Sequence, residues 1–130
     1  MILGLNHLTI AVTDVKHSFD FYCYILGFKP EAIWEHGAYL SLGDLWLCLS
    51  YDEVDDKIDY THYAFSITEE DMQPFKKRLK RFGVIEWKQN KSEGESIYFL
   101  DPDGHKLEVH VGNLQTRLQY LREKNQIQIF

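Results

Sequence analysis

The stretch His7-Leu-Thr-Ile-Ala-Val12 decides the fold, because a second stretch, His62-Tyr-Ala-Phe-Ser-Ile67, repeats its pattern later in the chain. In both stretches apolar residues alternate with polar or small ones, which predicts a strand with one apolar face. A helix-like run follows each stretch and ends at a glycine, Gly27 in the first half and Gly83 in the second. The repeat therefore predicts two similar modules, each beginning with a strand and a helix.

Three further strands are predicted after each helix, separated by glycine-containing turns. They lie near residues 29–34, 37–42 and 45–51 in the first module and near 84–88, 95–100 and 105–111 in the second. The first helix is predicted over 14–26, capped by Thr13 or Asp14, with an apolar stripe of Val15, Phe19, Tyr22 and Leu26. The second helix is predicted to begin near residues 69–72, so that Pro74 lies in its first turn. This order predicts an α+β fold of paired βαβββ modules, whose sheets would enclose a cavity.

We expect one domain over residues 1–130, divided as module one at about 3–51, an acidic connector at 52–59, module two at about 60–112, and a C-terminal helix and tail at 113–130. The connector is a solvated loop by composition, and its acidic residues are Asp52, Glu53, Asp55, Asp56 and Asp59. The tail Gln126–Phe130 alternates weakly, so it is a candidate for pairing with a partner. The turn Asp101-Pro-Asp-Gly104 reads mainly as a structural element.

Charge and composition exclude several classes of protein. The formal net charge of −6 argues against a nucleic-acid or anionic-membrane surface. No secretory signal pattern is visible and no apolar run is long enough to span a bilayer. Cys23 and Cys48 fall inside regular patterns, as small core residues do in a reducing compartment. We therefore predict a cytoplasmic protein without nucleic-acid or membrane partners.

His7 and His62 occupy the same position of the repeat, and both are predicted inside strands. With Glu108, from the last strand of module two, they form a set that suits a divalent transition metal and leaves positions open for a substrate. A single histidine on a strand is more often only hydrogen-bonded, and the matched pair is what favours the metal. His110 lies on the same strand face as Glu108, so it is a candidate neighbour of the site.

Aligning Gly43 with Gly104 places Leu47 at the position that matches Glu108. The repeat is therefore expected to supply three ligands and not four.

The run from Trp87 to Ser96 packs lysines, polar residues and a glycine between two strands. An ordinary polar loop would account for it. Alternatively, Lys88 and Ser92 could hold an anion, with donors added by Tyr98 and Arg117, while carbonyls of residues 90–96 wrap a cation.

Five runs of the chain resemble the glutathione-dependent fosfomycin resistance proteins of the vicinal oxygen chelate superfamily, and the likeness spans nearly all of residues 3–121. The runs are Gly4-Leu-Asn-His-Leu-Thr9, Gly43-Asp-Leu-Trp-Leu-Cys-Leu-Ser50, Asp59-Tyr-Thr-His-Tyr-Ala-Phe65, Glu86-Trp-Lys-Gln-Asn-Lys-Ser-Glu-Gly-Glu-Ser96 and Tyr98-Phe-Leu-Asp-Pro-Asp-Gly-His-Lys-Leu-Glu108. The resemblance implies a module-exchanged homodimer that uses Mn(II), is activated by potassium, and adds glutathione to the epoxide of fosfomycin.

The resemblance also implies a role for each site residue. The metal ligands would be His7 of one subunit with His62 and Glu108 of its partner. Further implied sets are potassium ligands (Asn90, Ser92, Gly94, Ser96), phosphonate contacts (Lys88, Ser92, Tyr98, Arg117) and a glutathione channel (Trp34, Tyr39, Lys88). Thr9 would sit beside the substrate, where it could hydrogen-bond or protonate the leaving oxygen, Trp46 would pack on the substrate's carbon skeleton, and Tyr39 would contact the thiol.

Several other activities remain open from the sequence. Related enzymes use bacillithiol or water on the same antibiotic, although the unbroken run 87–96 favours glutathione. A glyoxalase-type isomerase would need a fourth ligand where Leu47 stands, and extradiol dioxygenases are generally longer and lack this loop. A non-catalytic module that only binds the drug would need no metal.

Overall fold

A computed structural model describes residues 1–55, 58–124 and 127–130. The first sheet has the order β1-β4-β3-β2, with strands β1 Leu8–Val12, β2 Lys29–Trp34, β3 Gly37–Leu42 and β4 Leu45–Tyr51. The second sheet has the order β5-β8-β7-β6, with strands β5 Tyr63–Ser66, β6 Glu86–Lys88, β7 Ser96–Leu100 and β8 Lys106–His110. In each sheet the first and last strands pair in parallel, and the other neighbours are antiparallel. The predicted α+β fold of two βαβββ modules is confirmed.

The described helices are α1 Val15–Asp20, which continues as a π-helical turn Phe21–Ile25, α2 Glu69–Arg81, and α3 Leu114–Leu121. Asp14 caps α1, as predicted. Of the predicted apolar stripe, Val15 and Tyr22 are buried, whereas Phe19 and Leu26 are only half-buried, and Phe21 is buried in addition. Pro74 lies in the second turn of α2, not in the first. Its missing N–H affects only the carbonyl of Glu70, an exposed residue that water can reach.

One face of each sheet is apolar and buried, and it forms the core of its module. Ile10, Leu40 and Leu49 supply this face in the first sheet, where α1 lies against β3 and β4. Phe99 and Leu107 supply it in the second sheet. Because side chains alternate along a strand, the predicted site residues stand on the opposite faces. None of the helices among the described residues is long and apolar enough to cross a membrane.

The described chain divides into two compact units, one comprising Met1–Ile58 with Asp101–Gly104 and the other Asp59–Leu100 with His105–Phe130. The turn Asp101–Gly104 joins β7 to β8 yet belongs to the first unit. Its carboxylates explain this, because Asp103 accepts a hydrogen bond from Thr13 Oγ1 at 2.6 Å and the buried Asp101 accepts one from Tyr22 OH at 2.7 Å. Of the predicted connector and tail, Asp56 and Gln126 lie outside the described residues, and the predicted boundaries stay a prediction.

Candidate metal and substrate site

His62 and Glu108 meet in the second unit. Glu108 stands in the middle of β8 and is only 6% exposed, and its Oε1 lies 3.0 Å from Nε2 of His62. His62 and His7 were predicted inside strands, and this was wrong. Each lies one residue before its strand, because the parallel pairing begins only at Tyr63 and at Leu8.

The hydrogen bonds of His62 show what the pair can hold. Its Nδ1 lies 2.9 Å from the carbonyl oxygen of Tyr60, and a carbonyl can only accept, so Nδ1 carries a proton. Nε2 then faces the carboxylate of Glu108, and either a proton on this nitrogen or a metal ion bound by both atoms would satisfy the pair. An imidazole nitrogen oriented by a backbone carbonyl, next to a buried carboxylate, is a donor set that fits a divalent metal ion.

The second oxygen of Glu108 is bound within the same unit. Ser96 Oγ lies 2.6 Å from Oε2 of Glu108 and also 2.6 Å from Nδ1 of His110. His110 is thus a neighbour of the carboxylate, where the sequence had placed it. Over the described residues, no group of three or more His, Cys, Asp and Glu side chains that could hold a metal ion is present. The second unit therefore offers two ligands of the predicted three.

His7 lies in the first unit, at one end of a row of exposed aromatic side chains. Its ring centroid is 4.7 Å from that of Trp46, which is 5.2 Å from Tyr39, which in turn is 4.8 Å from Trp34. Nδ1 of His7 contacts the side chain of Asn6 at 2.8 Å. The three aromatic residues are 39–47% exposed, which is unusual for adjacent large rings and typical of a binding surface. The structure thus brings the predicted thiol-channel and substrate residues of module one beside a predicted metal ligand.

The strand register corrects the alignment of the two modules. Glu108 pairs with Ala64, the second residue of β5. The second residue of β1 is Thr9, and it pairs with Cys48, so Cys48 and not Leu47 is equivalent to Glu108. Leu47 matches a leucine of β8 on the buried face. The alignment failed because Gly43 opens a two-residue turn, whereas Gly104 is the fourth residue of a five-residue one.

Cys48 stands between two other predicted site residues. It pairs with Thr9 on one side and with Tyr39 on the other, and paired residues point to the same sheet face. The position equivalent to Glu108 is thus occupied by a buried thiol on the predicted substrate face.

Lys88 lies between two tyrosine rings in the second unit, with its Nζ 4.6 Å from the ring of Tyr60 and 4.8 Å from the ring of Tyr98. It donates a hydrogen bond to the hydroxyl of Tyr60, and this bond raises the pKa of Lys88 above its ordinary value. Lys88 therefore keeps its positive charge at neutral pH, as a contact for an anion requires. Tyr60 is not among the predicted site residues, although its carbonyl oxygen lies 2.9 Å from Nδ1 of His62 and its hydroxyl accepts from Lys88. The sequence carries no signal for the contact with His62, because it is made by the backbone carbonyl of Tyr60, a group that every residue has.

The loop before β7 folds around the side chain of Asn90. The amide nitrogen donates to the carbonyl oxygen of Gly94 at 2.6 Å and to that of Ser92 at 3.4 Å. The side-chain oxygen accepts from the backbone and hydroxyl groups of Ser92. Three of the four predicted potassium residues are therefore together, with two carbonyls converging on one point. The hydroxyl of the fourth, Ser96, is directed at Glu108 instead.

Arg117 on α3 is attached to the same loop. Its Nε lies 2.9 Å from the carboxylate of Glu93, and Nη2 is 3.3 Å from the carbonyl oxygen of that residue. The predicted phosphonate contact is thus paired with a protein anion here.

Comparison with known proteins identifies the family. A model of the glyoxalase/bleomycin resistance protein/dioxygenase superfamily matches residues 4–109. The chain is 57% identical to the glutathione transferase FosA of Serratia marcescens, over 95% of this chain and 92% of that protein. It is 38% identical to the metallothiol transferase FosB of Staphylococcus haemolyticus, over 95% and 94%. The structure of the fosfomycin resistance protein FosX of Listeria monocytogenes with Mn(II) and sulfate is similar with a TM-score of 0.86 and 31% identity, covering 92% of this chain and 98% of that one. The chain therefore belongs to this superfamily and, within it, to the fosfomycin resistance proteins.

Proposed function

We propose that the protein is a metal-dependent glutathione transferase that opens the epoxide ring of fosfomycin. The observation that carries the proposal is the 3.0 Å contact between Nε2 of His62 and the buried carboxylate of Glu108, in the unit that also holds the charged Lys88. The 57% identity to a protein named glutathione transferase FosA supports glutathione as the thiol. The Mn(II) complex of the similar FosX structure supports manganese as the metal.

The proposed active form is a homodimer with exchanged modules. His62 and Glu108 supply two ligands from one subunit, and His7 of the other subunit supplies the third. Three protein ligands leave coordination positions for a chelating substrate, as catalytic metal sites require. The exposed row of Trp46, Tyr39 and Trp34 beside His7 supports binding of substrate and thiol next to this proposed ligand.

The reaction requires a C–S bond to form at one epoxide carbon while the C–O bond at that carbon breaks. The thiol proton is lost from sulfur, and a proton is gained by the ring oxygen. A bound divalent ion supplies Lewis-acid polarisation of the C–O bond. Thr9, on the face that carries Tyr39, donates its hydroxyl proton toward the leaving oxygen, and Tyr39 hydrogen-bonds the incoming thiol.

Binding of the phosphonate falls to the second module. Lys88 supplies a fixed positive charge, and Tyr98 and Ser92 supply hydroxyl donors. Arg117 exchanges its contact with Glu93 for the more highly charged phosphonate when substrate binds. Such charge-assisted bonds hold the epoxide in one orientation for attack.

Potassium is proposed to bind in the loop around Asn90, where the carbonyls of Ser92 and Gly94 converge on its amide. Ser96 completes the proposed ligand set. A cation there would replace the amide as the partner of these carbonyls and hold the loop that carries Ser92.

A turnover assay tests the proposal against its alternatives. Purified protein is incubated with Mn(II), potassium and fosfomycin in parallel with glutathione, cysteine, bacillithiol or no thiol, and products are identified by ³¹P NMR and mass spectrometry. We expect a glutathione adduct, abolished by chelation and by Glu108→Ala. Diol in the tube without thiol would indicate a hydrolase, and an adduct with bacillithiol alone would indicate a different thiol transferase. Binding of fosfomycin without any turnover would indicate a drug-binding module.

A further inference from the structure

The hydroxyl of Ser96 lies between the carboxylate of Glu108 and the imidazole of His110, at 2.6 Å from each. A hydroxyl has only one proton to donate. An ionised carboxylate can only accept, so Ser96 must donate to Glu108. The remaining contact then requires Nδ1 of His110 to donate to the oxygen of Ser96. The direction of both hydrogen bonds, and with it the tautomer of His110, follows from the carboxylate.

The backbone supports this arrangement. Ser96 on β7 pairs directly with His110 on β8, which places both side chains on the face that carries Glu108. His110 and Glu108 have side chains that are 15% and 8% exposed, so little water competes for the contacts. The two hydrogen bonds therefore form a short, largely buried chain that ends at a proposed metal ligand.

Two glycines make room for the imidazole ring. A Cβ on Gly94 would lie 2.8 Å from Cε1 of His110, and a Cβ on Gly112 would lie 3.2 Å from Nε2. Gly94 belongs to the proposed potassium loop, and the next residue of that loop, Glu95, accepts a backbone hydrogen bond from Val111 at 2.9 Å. The ring thus fills the space under the loop while its other nitrogen is bound to Ser96.

We propose that His110 is a positioning residue that couples the metal ligand Glu108 to the loop of residues 90–96 through Ser96. The imidazole holds the serine hydroxyl in the orientation that fixes Oε2 of Glu108, so that Oε1 remains directed toward Nε2 of His62, the atom with which it would hold a metal. The same ring supports Gly94 from below. The inference rests on the proposed metal site and assigns a role to a histidine that is not itself a ligand.

Three substitutions at one position separate this role from simple packing. His110→Asn keeps a polar nitrogen near the position of Nδ1 and can still donate to Ser96. His110→Gln moves the same amide one methylene further, toward the position of Nε2, and His110→Ala removes it. Ser66→Ala is the matched control, because Ser66 pairs with His110 from β5 but is not a member of the chain.

The measurement is the Mn(II) dissociation constant, followed by electron paramagnetic resonance without fosfomycin or thiol. We expect His110→Ala and His110→Gln to weaken Mn(II) binding about tenfold or more, with His110→Asn within about threefold of the parent protein. Ser96→Ala should weaken it similarly, and the double variant with His110→Ala should be no weaker than either single one by more than about twofold. Circular dichroism melts of the metal-free variants check that each is folded.

Unchanged Mn(II) affinity in His110→Ala, no recovery in His110→Asn, or additive losses in the double variant would each overturn the coupling. If the parent protein binds no Mn(II), the proposed function fails separately. Hydrogen exchange of the metal-free protein then decides, because coupling requires His110→Ala to accelerate exchange in residues 90–96 while Ser66→Ala leaves it unchanged. Equal exchange in both variants would refute the inference.

Discussion

Replacing Glu108 with glutamine separates what this buried side chain does for the fold from what it does for the metal. When the His62 ring is neutral and no metal is bound, one carboxylate oxygen of Glu108 faces the lone pair of His62 Nε2 at 3.0 Å, while the other oxygen accepts from Ser96. Glutamine has the same shape but carries one acceptor and one donor. Its carbonyl oxygen can accept from Ser96, and its amide nitrogen can donate to His62. The substitution therefore turns an unfavourable contact into a hydrogen bond.

The expected magnitude follows from that exchange. One additional hydrogen bond at a largely buried position contributes about 1 kcal/mol to the free energy of unfolding. For a chain of 130 residues this corresponds to a rise in Tm of roughly 3–6 °C in the presence of a chelator. Mn(II) at a hundred times its dissociation constant should stabilise the parent protein by about 2.7 kcal/mol. Because Glu108→Gln lacks the ligand, its Tm should not respond, and the order of the two melting temperatures should reverse.

Thermal melts followed by circular dichroism at pH 8, with EDTA and then with Mn(II), measure both effects. The thiol-transfer assay on the same samples should show no activity for Glu108→Gln. A variant that is less stable than the parent by more than about 1 kcal/mol in EDTA would show that His62 and Glu108 attract each other without a metal, as an ion pair does. Equal stabilisation of both proteins by Mn(II) would refute the assignment of Glu108 as a ligand.

Three further expectations follow from the site. A mixture of His7→Ala and Glu108→Gln subunits, each inactive alone, should recover about a quarter of the parent activity. Half of the dimers that form are mixed, and each mixed dimer has one intact site of its two. No recovery of activity would exclude exchanged modules. Cys48→Ser should change the Mn(II) dissociation constant measured by calorimetry by less than about twofold, because Mn(II) prefers oxygen and nitrogen ligands to thiolate, and a larger loss would make Cys48 a fourth ligand. Tyr60→Phe should lower the pKa of Lys88 toward its ordinary value, because it removes the hydrogen bond that raises this pKa. Fosfomycin binding should then weaken at a less alkaline pH than in the parent protein. An unchanged titration of Lys88 in ¹³C NMR would contradict this.

The sequence predicts the strands well, because alternation and glycine turns are local signals. The bounds of β2, β3 and β4 coincide with the predicted ranges. The residue-by-residue alignment of one module with the other was harder to predict, because it depends on the length of each turn and not on the glycine within it. The π-helical turn at Phe21 depends on tertiary packing, which periodicity does not record.

The candidate site shows the same limit. His62 and Glu108 could be paired from the repeat and from the resemblance, and they are in contact. The attachment of Ser96 to Glu108 could not, because a hydrogen bond between side chains on different strands leaves no pattern along the chain. Only register and side-chain direction fix such contacts.

The differences between the two modules explain why only one of them builds a carboxylate site. Glu108 is oriented by a hydroxyl on the neighbouring strand, and the position equivalent to Ser96 in the first sheet is Gly37, which pairs with Ser50 just as Ser96 pairs with His110. A Cβ on Gly37 would lie 2.7 Å from the ring of Trp34 and 2.8 Å from a backbone carbonyl. Trp34 thus occupies the space that an orienting hydroxyl would need. A single substitution such as Cys48→Glu would therefore add a carboxylate without the donors that hold it, at a cost of about 1–3 kcal/mol for an unsatisfied buried group. The same tryptophan that closes this position begins the aromatic row ending at His7, so the first module has, in place of a second carboxylate, the surface proposed to bind substrate and thiol.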